Sequence, residues 1–181
     1  MLVDYVNEDE NLKKCIKEFL TQENCVECLK QNNLDFLFIG ISSKASLFKE
    51  HSKHNFTKVA ARNAVISYVT WLLYENDFYV ENYITRVYPH QFDDIDKSEF
   101  VFPKCKSINP DAFSFNDYVK SVEAPKLVDL GSKAFDHCSN LEWVKFPNLE
   151  FYYSDSFNGC KSLDESKCII PSDAGLIEYV K

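Results

Sequence analysis

The sequence LVDLGSKAFDHCSNLEWVKFP, residues 127–147, is followed at once by NLEFYYSDSFNGCKSL, residues 148–163. Laid together at an offset of 22 residues, the two stretches repeat the same residue types in their apolar columns. Pro103, Pro125 and Pro147 recur every 22 residues, and so do Phe113, Phe135 and Phe157. Phe102, Ala124 and Phe146 precede the prolines; Cys105, Leu127 and Leu149 follow them by two places, and Ile108, Leu130 and Tyr152 by five. Ala112, Ala134 and Ser156 precede the phenylalanines. Asn116, Cys138 and Cys160 follow them by three places, and Val119, Leu141 and Leu163 by six. A fourth, partial unit begins near Ile169, Ile170 and Pro171, displaced by two residues. A period of this length marks a solenoid, because one such unit cannot bury its own apolar side and must stack on a copy of itself.

Within Leu141-Glu-Trp-Val144-Lys-Phe146-Pro147 apolar residues hold the first, fourth and sixth places, the rhythm of a leucine-rich repeat that points them inward from a short strand. The alanine–phenylalanine pair, then a cysteine, then a leucine before the next strand resembles the BspA-like (Treponema-type) leucine-rich repeat, over roughly residues 98–175. Three departures stand out: Asn116 replaces the cysteine of the first unit, Ser156 replaces the alanine of the third, and the fourth unit lacks its phenylalanine. The resemblance implies a short right-handed solenoid with parallel strands on one face, used for protein attachment and binding, and it implies no catalysis. On this reading the phenylalanines stack, each burial contributing ~1.5–3 kcal/mol. Cys138 and Cys160 are read as small buried apolar residues rather than as a metal or disulfide pair.

The residues between the inward ones face out. They are Ser98, Glu99 and Val101; Lys120, Ser121 and Glu123; Glu142, Trp143 and Lys145; then Lys167 and Ile169. Strand stacking at ~4.8 Å brings them into neighbouring rows, a flat patch with Trp143 near its middle and charges around it. Tryptophan dominates many binding interfaces. The alternative is that Trp143 packs under the N-terminal half or a loop, and Tyr152 and Tyr153 on the other side pose the same choice.

The chain has 181 residues and 21.0 kDa, 45% apolar and 27% charged, the balance of a folded protein. Its net charge of −8 and pI near 5.0 argue against a broad phosphate-binding surface, so direct nucleic-acid binding is not expected. Five of the six prolines lie after position 100, which places a boundary near residue 92 between domains 1–92 and 93–181, with net charges of −2 and −6. In the first half, Leu12, Cys15, Ile16, Phe19 and Leu20 form one stripe of an amphipathic helix. Cys25, Val26, Cys28 and Leu29 suggest a second, ending at Gln31-Asn32-Asn33, while Phe36 to Ile41 is a short apolar run that favours a strand, with a buried helical turn as the alternative. Thr57 is the expected N-cap of a central helix running about five turns through Val59, Ala60, Ala64, Val65, Tyr68, Val69, Leu72 and Leu73. Phe78 to Tyr88 reads as a further helix stopped by Pro89.

Cys25-x-x-Cys28 and His51-x-x-His54 would supply two thiolates and two imidazoles to a tetrahedral zinc. The 22 residues between the pairs exceed zinc-finger spacing, and the competing reading packs the cysteines along a helix and leaves the histidines solvated. No glycine-framed nucleophile is present, and Gly40, Gly131, Gly159 and Gly175 are too scattered for a phosphate-cradling loop. Asp93, Asp94 and Asp96 lack the glycine and distal glutamate of a calcium loop and read as a solvated linker. The first ten residues lack the basic-then-apolar order of a signal peptide, and Val59 to Tyr74 is too short and too polar to cross a bilayer. Seven cysteines without a framework spacing suit reduced thiols in a cytoplasm.

The expected architecture is therefore α+β, a mainly helical N-terminal module capping a short leucine-rich-repeat solenoid. The expected function is non-catalytic binding of another protein, with no membrane partner and no cofactor unless the zinc set assembles. A rival reading is a small acidic inhibitor of the phage anti-defence (anti-CRISPR) kind, whose carboxylates block the basic channel of a nucleic-acid-binding enzyme.

Overall fold

The computed structural model describes residues 2–178, which divide between Tyr83 and Ile84 into two compact units. The N-terminal unit is helical: α1 (Leu2–Asn7), α2 (Glu10–Leu20), α3 (Glu23–Lys30), α4 (Leu34–Ser43), α5 (Ala45–His51) and α6 (Lys58–Tyr74). The stripe read from the sequence is the buried face of α2, where Leu12, Cys15, Ile16 and Phe19 are covered. Thr57 caps α6 as expected, its hydroxyl oxygen accepting from the Ala60 N–H at 3.1 Å. α6 is the hub of the unit: it is buried from Asn63 to Thr70, and α1 and α5 pack along it.

Asp9 does two jobs at the head of α2. Its carboxylate accepts from the Leu12 N–H at 3.1 Å, and also from the Ser52 hydroxyl at 2.9 Å and the Lys53 N–H at 2.7 Å. One buried side chain thus caps a helix and ties down the segment between α5 and α6. Burial alone would raise its pKa, but the hydrogen bonds from Leu12, Ser52 and Lys53, with His54 nearby, hold the carboxyl below the ordinary value.

Two expectations for this half are corrected. Phe36 to Ile41 lies in α4, not in a strand. Leu34, Leu37, Phe38 and Ile41 are buried at helical spacing, while Phe36 is 64% and Ile39 55% exposed. Phe78 to Tyr88 is not a helix either. The chain leaves α6 through Asp77, whose φ is +57°, and the Phe78 N–H returns to the Leu73 carbonyl at 2.9 Å. A short 3-10 turn at Val80–Asn82 and a strand follow.

That strand, β1 (Arg86–Val87), opens the second unit, which is a β-solenoid of about four turns. One parallel sheet runs β1, β3 (Ser107–Ile108), β5 (Asp129–Leu130), β7 (Phe151–Tyr153) and β8 (Gly175–Ile177). A second runs β2 (Glu99–Val101), β4 (Ser121–Glu123) and β6 (Trp143–Lys145), with Ile169 bridged to Lys145. The register carries the 22-residue period read from the sequence: Phe100 pairs with Val122 and Val122 with Val144, Ser107 with Asp129 and Asp129 with Phe151. At the end the step lengthens by two, Phe151 pairing with Gly175 and Lys145 with Ile169, the displacement expected for the partial unit.

The phenylalanines form one column. Phe113 and Phe135 stack with centroids 5.1 Å apart and planes 9° apart, and Phe135 and Phe157 at 5.6 Å and 3°. Phe92 joins the column at 5.6 Å from Phe113, planes 4° apart, and is fully buried. The expected boundary near residue 92 therefore moves back to 83/84, because the segment after Ile84 builds an additional rung. The acidic run is likewise not a solvated linker: Asp93 and Asp94 are half-buried, and Asp93 Oδ2 lies 2.9 Å from His90 Nδ1, while Asp96 is exposed. The bond to Asp93 raises the His90 pKa.

Cys138 and Cys160 pack as small side chains, but they also donate. Cys138 Sγ reaches the Phe113 carbonyl at 2.8 Å, and Cys160 Sγ reaches the Phe135 carbonyl at 3.0 Å. Asn116, the departure in the first unit, makes the equivalent bond to the Phe92 carbonyl at 3.1 Å. Ser156 occupies the alanine column and donates to the Gly131 carbonyl at 3.0 Å. Both substitutions are thus accommodated by hydrogen bonds to the rung beneath.

Candidate protein-binding face

The three-stranded sheet positions the outward residues. Its pleat turns Phe100, Val122 and Val144 into the core, so the residues on either side of each must face away. One row is Glu99, Ser121 and Trp143; the next is Val101, Glu123, Lys145 and Ile169. Just before the strands, the Lys120 N–H donates to the Ser98 carbonyl at 2.7 Å and the Glu142 N–H to the Lys120 carbonyl at 2.8 Å, so Ser98, Lys120 and Glu142 form a third row. All three of these are exposed.

Trp143 is half-buried, and the Lys145 ammonium lies 4.8 Å from the centre of its ring. The same ammonium is 3.9 Å from Glu123 Oε2 on the neighbouring strand. A carboxylate, a cation and an indole thus share one part of the face, each limiting the freedom of the next. Val101 and Ile169, 51% and 49% exposed, place apolar groups in the same row as that cation.

Two residues read as outward differ. Ser121 is buried at 3% exposure, because its short side chain lies in register between the much longer Glu99 and Trp143. It forms the floor of the row rather than its surface. Lys167 lies in a 3-10 turn, Glu165–Lys167, and pairs with Asp164 at 3.2 Å instead of extending the strand row. The two extra residues of the last unit are accommodated in that turn.

On the five-stranded sheet, Tyr152 and Tyr153 are half-buried, while Phe151 is 48% exposed. The sequence reading missed Phe151 and also two residues in a turn, Phe115 and Tyr118, 67% and 43% exposed. Phe115, His137 and Gly159 do recur at 22-residue steps, but their side chains share no class, so comparison by residue type passes over them.

The zinc set does not assemble. Cys25 is buried and Cys28 half-buried along α3; His51 Nδ1 is 2.9 Å from the Leu47 carbonyl within α5, and His54 Nε2 is 3.2 Å from the Tyr5 carbonyl. Tyr5 and Phe56 also make ring contacts with His54. Among the described residues no group of three or more His, Cys, Asp or Glu side chains is gathered so as to hold a metal ion. No described helix is long and apolar enough to cross a membrane.

Comparison with known families agrees with the rungs. The family model for the BspA-type leucine-rich repeat region, built of six copies, matches residues 75–177. Searches of the curated proteins and of the solved structures return no match. With its period, its strand register and more than half its length accounted for by that model, the chain belongs to the BspA-type leucine-rich repeat family.

Proposed function

We propose that the protein is a non-catalytic binding module that holds a partner protein against the face carried by β2, β4 and β6. The observation that carries this reading is the Glu123–Lys145–Trp143 group, where an indole and two opposite charges are held together and flanked by exposed Val101 and Ile169. Aromatic anchors amid a polar rim are the usual composition of a protein interface, and leucine-rich repeats generally serve such contacts. The charges on this face are of both signs, Glu99, Lys120, Glu123, Glu142 and Lys145, which suits another mixed-charge protein surface better than the basic channel of a nucleic-acid enzyme. None of the seven cysteines forms a disulfide, which favours a reducing compartment such as the cytoplasm.

The test is to replace Trp143 by alanine and Lys145 by glutamate and to measure retention of proteins from the native source. Retention lost with both variants, at unchanged thermal stability, supports the reading. Retention equal to that of the parent overturns it.

A further inference from the structure

Three successive rungs place Phe115, His137 and Gly159 at the same turn, and all three backbones are left-handed, with φ of 59°, 56° and 74°. Glycine adopts this conformation without steric cost, whereas a bulky side chain is strained in it. The last of these rungs uses the unstrained residue; the two before it carry rings instead. Burial does not compensate, since Phe115 is 67% exposed. Strain retained at an exposed aromatic residue points to a role outside the fold.

The two rings are also held in place. Phe115 and His137 stack with centroids 4.8 Å apart and planes 11° apart. His137 Nδ1 lies 2.9 Å from Asp136 Oδ1, and Asn158 Nδ2 donates to the same oxygen at 2.8 Å. The Asp136 side chain is only 9% exposed, so this bracket stands behind the ledge. Gly159 leaves room for it, because a Cβ there would come within 3.0 Å of the His137 ring. Two residues beyond Phe115, Asp117 is fixed by the Ser139 hydroxyl on Oδ1 at 3.0 Å and by Asn140 Nδ2 on its carbonyl at 2.7 Å. Tyr118, 43% exposed, follows.

A pre-oriented, exposed π face followed two residues along the chain by the carboxylate of Asp117, on a protein of net charge −8, has the chemistry that selects a guanidinium. That group is planar, stacks on aromatic faces and pairs with carboxylates, whereas an ammonium is a compact, strongly hydrated point charge. We infer that the Phe115–His137 ledge receives an arginine side chain of a partner protein, stacked on the exposed ring of Phe115 and paired with Asp117. The ledge is carried by the turns, not by β2, β4 and β6, and does not depend on the role proposed for the strand face.

The experiment titrates the full chain, at low salt, into fluorescent peptides bearing three arginines spaced by glycine and serine, and into the same peptides with lysine. The arginine peptide is expected to bind about threefold more tightly than the lysine peptide. Phe115→Gly removes the ring and the strain together; it is expected to melt no lower than the parent yet bind the arginine peptide about fivefold more weakly. Asp117→Asn is expected to weaken binding about threefold, and Val59→Ala, at an exposed position of α6, to leave it unchanged. Equal binding of the two peptides, or undiminished binding by Phe115→Gly, would show attraction by net charge alone and overturn the inference. A Phe115→Gly variant melting well below the parent would assign the ring to packing and overturn it as well.

Discussion

Cys138 donates its thiol hydrogen to the Phe113 carbonyl at 2.8 Å, so the side chain three places after one rung's phenylalanine fastens the backbone of the phenylalanine before it. Asn116 does the same for Phe92 and does more, since its Oδ1 accepts from the N–H groups of Tyr118 and Val119 at 2.9 and 3.0 Å. Asn116→Ala is therefore expected to cost about 3 kcal/mol by leaving buried backbone groups without partners, and Cys138→Ala about 1 kcal/mol. Urea unfolding measures both. The Cys160 sulfur beside it, and then burial, push the Cys138 thiol well up, so Cys138 should resist disulfide-exchange reagents in the native state at pH 8 and react once unfolded.

The phenylalanine column should be graded along its length. Phe135 is covered by stacked rings on both sides, and Phe135→Ala is expected to cost ~3–5 kcal/mol. Phe157 is half-buried and stacks on Phe135, so Phe157→Ala should cost distinctly less, about 2 kcal/mol. Chemical denaturation of the two variants side by side checks the order.

Gly131 is fixed by close approach rather than by backbone conformation. A Cβ added there would lie 2.3 Å from Pro110 N and 2.6 Å from the Asn109 carbonyl carbon, both backbone atoms of the preceding rung. Backbone within a stacked rung cannot step aside without breaking its ladder, so Gly131→Ala is expected to cost about 3 kcal/mol, the upper range for overpacking. The contrast is Gly40, where the nearest atom is a Phe19 ring carbon at 3.5 Å and alanine should be tolerated. Thermal melts of the two variants separate the cases.

Asp9 makes the helical unit sensitive to acid. Its carboxyl is held below the ordinary value when folded, so its stabilising contribution is complete above the unfolded carboxylate pKa of about 4 and is lost as pH falls through the lower, folded value. Asp9→Ala should remove about 2 kcal/mol near neutral pH, through loss of the cap and of the bonds from Ser52 and Lys53. Helical circular dichroism against pH should show a smaller acid-side decline in Asp9→Ala than in the parent.

The stacked rungs are legible because most inward columns repeat one side-chain class, as at Phe113, Phe135 and Phe157. The rung before them is not. It offers Gln91 where the others have alanine or serine, Ile95 where they have asparagine or cysteine, and a step of 21 from Arg86 to Ser107. Gln91 still fills its place, its side-chain oxygen accepting from the Tyr88 N–H as Ser156 accepts from Tyr153. α4 resembles a strand in the sequence because Phe36 and Ile39 are apolar yet exposed, which erases the helical alternation that burial displays. On the strand face, pleat alternation gave the rows, but the burial of Ser121 depends on the sizes of its cross-strand neighbours, and the turn holding Lys167 on where two extra residues are absorbed.

Parallel capture from the native source, using the parent, Trp143→Ala, Lys145→Glu and a control altered at exposed Lys126, with quantitative mass spectrometry, tests the strand-face reading most directly. The expected result is a protein retained by the parent and by the Lys126 control and lost from both strand-face variants, all four melting at similar temperatures. Retention of the same protein by all four would contradict it.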